Sequence, residues 1–244
     1  MIKKNKNLIL IALSVILFLA TLFSVFVLVV KLKTYEADDA SIEAFASRYD
    51  YTAEKRDGYT AYLADSSEIG FVFYPGGLVS EESYEPLMYA IREKGISCFL
   101  VSMPFDLAVF DVNAAEKILE DNPTVKRWYI GGHSLGGAMA ASHLKKNTDD
   151  YKGLILLGAY STKDISSVSV NVLLVYGSND GVMDREKYAE CKQNLPKSTK
   201  EHIIEGGNHA YFGMYGEQKG DGVSTLTPSL QILLTADLIA DFAK

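Results

Sequence analysis

Trp128-Tyr-Ile-Gly-Gly-His-Ser-Leu-Gly-Gly137 is the stretch on which the reading of this chain turns. An apolar run leads into Gly132-x-Ser134-x-Gly136, the pattern of a nucleophile elbow, in which a serine sits on a sharp turn between strand and helix. The glycines are needed because the serine takes strained backbone angles, and side chains at 132 and 136 would collide with the neighbouring strand or helix. The gain is an exposed hydroxyl at a helix N-terminus, where backbone N–H groups can hold a developing negative charge. Val125 to Ile130 reads as the buried strand before the turn, and Leu135 to Lys146 as the helix after it.

Outward from the elbow, short β-rich runs alternate with helical stretches. Strands are expected at Tyr59–Leu63, Ile69–Tyr74, Ile96–Val101, Gly153–Leu157, Val172–Tyr176 and Glu201–Ile204. Ser80 reads as the cap of a helix ending near Lys94-Gly95, and Asn113 to Glu120 as a short helix. Asp184 caps a helix running to about Asn194, and Thr227-Pro228 opens a last helix toward Phe242. Continuous apolar strands alternating with helices imply an α/β domain with a mostly parallel central sheet and helices on both faces. The short connection between Leu157 and Val172 leaves no room for a cap domain, so the site should open to solvent.

A serine needs a base, and the base an orienting carboxylate. In this architecture they follow in the order Ser, Asp or Glu, His, on loops after successive strands. The strand Val172–Tyr176 is followed by Gly-Ser-Asn-Asp180-Gly, and Glu201–Ile204 by Glu-Gly-Gly-Asn-His209. Both residues thus fall at strand C-termini, where open α/β sheets gather their ligands. Ser134, Asp180 and His209 are the expected catalytic residues, with Asp184 as fallback acid. An oxyanion hole needs two backbone donors. Leu135 is expected to supply one and Gly77, in Tyr74-Pro-Gly-Gly-Leu78, the other, with Leu78 as second choice. The remaining histidines are weaker bases: His133 should face away across the turn, His143 should lie on the helix surface, and His202 should flank the core.

These segments together resemble the α/β-hydrolases, and most closely the small cap-less ones related to the dienelactone hydrolases. The resemblance rests on Tyr74-Pro-Gly-Gly77, Gly131-Gly-His-Ser-Leu-Gly-Gly137, Tyr176-Gly-Ser-Asn-Asp-Gly181 and Gly206-Gly-Asn-His-Ala210, and spans about residues 59–243. It implies the α/β-hydrolase fold with Ser134, Asp180 and His209 as triad. Dienelactone hydrolases proper use cysteine as nucleophile, so their substrate does not carry over. The expected chemistry is cleavage of an ester-type bond in a small-molecule substrate through an acyl-enzyme, with no metal and no organic cofactor. An acyltransferase with the same triad and a non-catalytic binding protein on the same fold stay open. The stretch Tyr211–Gly222, after the histidine, receives no role.

The first 33 of the 244 residues are of another kind. Leu8 to Val30 carries no charge and is flanked by Lys3, Lys4 and Lys6 before it and by Lys31 and Lys33 after it. As a helix it spans about 35 Å, enough for a hydrocarbon core of about 30 Å. It exceeds the apolar region of a signal peptide and no convincing cleavage site follows, so residues 1–33 read as a retained anchor spanning about 8–30. Residues 34–58 then lead into a catalytic domain over 59–244. The basic flanks favour a single-pass protein with this domain extracytoplasmic. Without residues 1–33 the chain holds 19 basic against 31 acidic residues, a balance that excludes nucleic acid as a partner. Two distant cysteines, Cys98 and Cys191, form no disulfide framework or metal-ligand spacing and read as buried thiols, with a single disulfide outside the cell left open. Oligomeric state is left open.

Overall fold

The structure is a computed structural model that describes residues 2–244, with side chains from Leu10 onward. Met1 and the side chains of Lys3, Lys4, Lys6, Leu8 and Ile9, part of the expected anchor, lie outside the described residues. The chain divides into two compact units, Met1–Thr34 and Tyr35–Lys244. The first is a single helix, α1 (Ile2–Lys33), whose stretch Leu10–Lys33 is long and apolar enough to cross a membrane.

The second unit is built on an eight-stranded sheet in the order β1-β2-β4-β3-β5-β6-β7-β8. These strands are β1 (Glu54–Arg56), β2 (Tyr59–Tyr62), β3 (Ile69–Tyr74), β4 (Ser97–Val101), β5 (Arg127–His133), β6 (Tyr151–Leu157), β7 (Asn171–Gly177) and β8 (Lys200–Ile204). From β4 onward every pairing is parallel, and β1–β2 and β2–β4 are antiparallel. The central strands are apolar on both faces because both faces are covered, as parallel sheets require.

Alternate residues feed two cores. Phe71, Phe73, Ile155, Leu157, Leu173 and Val175 pack on one side with α2 (Asp39–Ala46), α3 (Glu85–Arg92) and α7 (Pro228–Ala243). Val72, Tyr74, Ile130, Leu154, Leu156 and Val172 pack on the other with α4 (Ala115–Asp121), α5 (Leu135–Leu144) and α6 (Arg185–Cys191). Each α/β step places a loop at the C-terminal edge of the sheet, and those loops carry the candidate site.

The expected elements are present, with local differences. Residues 34–58 are not plain connector, since they carry α2, with Ile42 and Phe45 buried, and the edge strand β1. The helix expected from Ser80 begins instead as a 3₁₀ turn, Glu81–Tyr84, and becomes α-helical at Glu85. Pro86 has no N–H to return to the preceding turn, which forbids a continuous α-helix there. The Ser80 hydroxyl caps no N–H group and pairs with the Glu82 carboxylate. Asp184 and Thr227 cap α6 and α7, accepting from Lys187 N–H at 2.9 Å and Leu230 N–H at 3.3 Å. Between β6 and β7, residues 158–170 hold only turns, and no cap domain is present. Cys98 is buried, whereas Cys191, near the end of the surface helix α6, is half-exposed, and both are free thiols.

Candidate active site

The elbow forms as the glycine pattern requires. Ser134 sits between β5 and α5 at φ 51°, ψ −121°, a strained conformation for a residue with a side chain. Its N–H donates to Leu157 O at 2.9 Å, which ties the turn to β6. A Cβ on Gly132 would lie 2.4 Å from Tyr74 O, and one on Gly136 2.2 Å from both Tyr74 O and Pro75 O. The elbow and the loop after β3 therefore approach backbone to backbone, and no side chain fits between them.

Asp180 and His209 arrive from the loops after β7 and β8. His209 Nδ1 and Asp180 Oδ2 are 2.8 Å apart, with side chains 1% and 0% exposed. The other carboxylate oxygen, Oδ1, accepts Val182 N–H at 3.0 Å and Met183 N–H at 2.8 Å. Burial alone would raise the Asp180 carboxyl. The hydrogen bond and charge of His209 and the two backbone donors outweigh it, leaving Asp180 below the usual carboxylate range. With Nδ1 committed to Asp180, His209 Nε2 is buried and has no hydrogen-bond partner among the described residues. No hydrogen bond joins it to Ser134 Oγ in this structure, although both residues line one cavity. Long or unformed contacts of this kind are common in sites without substrate.

That cavity, about 400 Å³, is lined by Ser134 and His209 with Leu135, Met139, Tyr160 and Met183 among its apolar walls. A cavity of about 640 Å³ near Lys192, Pro196 and Glu201 lies away from these groups and gathers no comparable set. At the rim, the N–H groups of Gly77 and Leu135 have no acceptor among the described residues. The two positions are adjacent, since a Cβ on Gly77 would lie 2.7 Å from Leu135 Cδ2. Leu78, the second choice, is excluded as a donor because its N–H is already bound to Asp106 O at 2.8 Å.

The other histidines differ from expectation in instructive ways. His133 does turn away from the nucleophile, but it is buried with its ring against that of His209, centroids 4.4 Å apart. Gly76 N–H donates to the Tyr84 hydroxyl at 3.1 Å, and the Tyr84 hydroxyl and His133 Nδ1 share a hydrogen bond at 2.8 Å. Burial, then the neighbouring His209, hold His133 well below the ordinary imidazole range, so it is neutral. His143 is not on the surface. It is 1% exposed and bound to Tyr151 Oη at 2.9 Å and Asn113 Oδ1 at 3.2 Å, because small residues let α5 sit close against its neighbours. His202 does not flank the core but is exposed on β8, the edge strand. Asp184 caps α6 and lines the cavity, but the carboxylate on His209 Nδ1 is that of Asp180.

Asp221 was not singled out by the sequence. It lies in the stretch Tyr211–Gly222 and gathers the loops of Asp180 and His209 onto one carboxylate. Its Oδ1 accepts Gly181 N–H at 3.0 Å, His209 N–H at 3.2 Å and Gly222 N–H at 2.8 Å, while Oδ2 accepts Ala210 N–H at 2.8 Å. The loop bearing the acid and the loop bearing the base are thereby fixed to each other. The only trace in the sequence is Gly220-Asp221-Gly222, a short turn that brings the carboxylate in close.

A doubly covered parallel sheet, a strained serine after β5, and an Asp–His pair on the loops after β7 and β8 define an α/β-hydrolase-type site. The chain belongs to the alpha/beta hydrolase family, which it matches over residues 70–232. No curated protein sequence matches it. Solved structures share the fold at low identity. The esterase domain of a Rhodothermus marinus protein is 13% identical, with 76% of this chain and 91% of that one covered at a TM-score of 0.58. Est1E from Butyrivibrio proteoclasticus is 16% identical, with 78% and 96% covered at 0.57. A dienelactone hydrolase from Anabaena variabilis is 15% identical, with 75% and 88% covered at 0.56.

Proposed function

We propose that the chain is a serine hydrolase that cleaves a carboxylic ester or thioester through an acyl-enzyme, with Ser134 as nucleophile, His209 as general base and Asp180 as its orienting acid. The observation that carries this reading is the state of His209. One nitrogen is held by a buried carboxylate, while the other has no partner among the described residues, and His209 and Ser134 line the same cavity. A buried, unpaired imidazole nitrogen is costly unless a partner arrives during function.

In the mechanism, Asp180 accepts a hydrogen bond from Nδ1–H, which keeps the proton on Nδ1 and leaves the Nε2 lone pair free to act as base. Nε2 takes the proton of Ser134 as its oxygen attacks the acyl carbon, and the imidazolium that forms is stabilised by the carboxylate. The Gly77 and Leu135 N–H groups receive the tetrahedral oxyanion. His209 gives its proton to the leaving group as the bond to the acyl carbon breaks. It then takes a proton from a water that attacks the acyl carbon, and passes it to Ser134 Oγ as the acyl–serine bond breaks and the acid leaves.

In this reading residues 1–33 are a retained single-pass anchor spanning about 8–30, and the catalytic domain, within 59–244, is extracytoplasmic. Turnover of a short-chain p-nitrophenyl ester by the full chain, abolished in Ser134→Ala, is the expected result. A folded wild type that turns over no ester or thioester would favour a binding role on this fold.

A further inference from the structure

Tyr35, the first residue of the second compact unit, is fastened beside the proposed oxyanion hole. Its N–H donates to Leu78 O at 2.8 Å, and its carbonyl accepts Ser80 N–H at 3.0 Å, so it adds a short parallel bridge to the loop after β3. Its hydroxyl accepts Lys219 N–H at 3.1 Å, and its ring packs on Tyr215 at 5.8 Å. Three residues on, Asp38 N–H donates to Met214 O at 2.9 Å. The chain thus enters the domain clamped to two loops of the site, the one with Gly77 and the one that follows His209.

The apolar segment ends at Lys33, two residues earlier. Two peptide units reach at most about 7.6 Å, and a bridged strand adds about 5 Å. By covalent connection alone, whatever the direction of the helix, Lys33 lies within roughly 15 Å of the Gly77 backbone. A globular unit of this size is about 40 Å across. The site therefore occupies the end of the domain from which the anchor departs.

The same end carries exposed apolar side chains. Leu78 N–H is bound to the carbonyl of Asp106, which holds the loop of residues 103–110 next to the bridge. On that loop Phe105, Val109 and Phe110 are 36%, 47% and 53% exposed, and Leu107 faces the Gly77–Leu135 contact. The acidic domain gains nothing from anionic headgroups, so attachment comes from the covalent anchor and apolar contact and not from charge.

We infer that the site works at the bilayer surface and that its substrate is the acyl ester or thioester of a membrane-resident amphiphile, reached from the bilayer that holds the anchor. This rests on the hydrolase and retained-anchor readings above, and deepens them to a substrate class. The exposed apolar loop would sit among headgroups and acyl ends, and the acyl chain would pass to the cavity beside Leu135 and Met139.

The test uses the full chain in phosphatidylcholine vesicles. A long-chain acyl ester of a fluorogenic alcohol is placed either in the same vesicles or in separate ones, and p-nitrophenyl acetate is assayed alongside in water. The expected result is hydrolysis about tenfold or more faster in the shared vesicles, because tethering raises effective concentration. Equal rates for shared and separate vesicles, with p-nitrophenyl acetate still cleaved, would overturn the inference alone. Loss of all three activities would overturn the hydrolase reading beneath it. Location is read independently in a Cys191→Ser background with an environment-sensitive dye on Val109→Cys or Asn171→Cys. Headgroup nitroxides should quench the dye at 109 and not at 171, which lies at the opposite edge of the sheet. Equal quenching at both positions would overturn it.

Discussion

Replacing Asp180 by Asn removes one charge and, on this geometry, inverts the chemistry of His209. Two backbone N–H groups, Val182 and Met183, point at Oδ1. The amide oxygen of an asparagine must take that place, since its NH₂ there would face two donors and strand all of them. The NH₂ is then left facing His209 Nδ1, in the place of the oxygen that accepts at 2.8 Å. Nδ1 can pair with it only as an acceptor, so the ring proton moves to Nε2 and the base can no longer receive the proton of Ser134. Loss of the correct tautomer costs about four orders of magnitude in kcat, roughly 5 kcal/mol of transition-state stabilisation. The assay is p-nitrophenyl ester turnover at neutral pH, with Asp184→Asn as a neighbouring control that removes one charge and keeps the helix cap, since asparagine Oδ1 can accept Lys187 N–H in the same way. The reasoning fails if Asp180→Asn retains more than about a tenth of the wild-type kcat, a loss of no more than about 1.4 kcal/mol.

Other positions give sharper structural tests. Gly136→Ala pushes a Cβ onto two backbone carbonyls at 2.2 Å, which cannot give way as a side chain would. A loss of about 3 kcal/mol or more is expected from urea unfolding. Asp221→Ala strands four N–H groups and frees the loop of His209 from that of Asp180. It should lower kcat about a hundredfold with KM little changed, and slow fluorophosphonate labelling in step, while far-UV circular dichroism is preserved. His133 and His143 are both held below the ordinary imidazole range, chiefly by burial. The unfolded chain therefore binds more protons, and stability present above about pH 6.5 is lost as pH falls below it, at up to about 1.4 kcal/mol per pH unit for each group. Urea midpoints measured between pH 7 and 5 should fall less steeply in His143→Gln than in wild type.

Much of the candidate site was readable in the sequence because Ser134, Asp180 and His209 each follow a strand and lie beside glycines, although β8, before His209, is mostly exposed. Ser134, Asp180, His209, Gly77 and Leu135 are all brought to one edge of the sheet. What escaped lacks a local signature. α2 and β1 are short, and β1 is exposed at an edge, although Asp57-Gly58 with Gly58 at φ +85° marks the hairpin it forms with β2. The burial of His143 depends on Tyr151 and Asn113, which no periodicity links to it. Asp221 acts through backbone N–H groups, which every residue carries, so nothing at the receiving positions announces it. The bridge that pairs Tyr35 with Val79 joins residues 44 positions apart through main-chain atoms alone.

The central claim is that Ser134 is a nucleophile activated by His209. It is tested most directly by treating the full chain with a fluorophosphonate and locating the adduct by peptide mass mapping. A single stoichiometric adduct on Ser134, absent in Ser134→Ala and greatly slowed in His209→Ala, is the expected result. A folded protein that takes up no label, or takes it up elsewhere, would contradict the account.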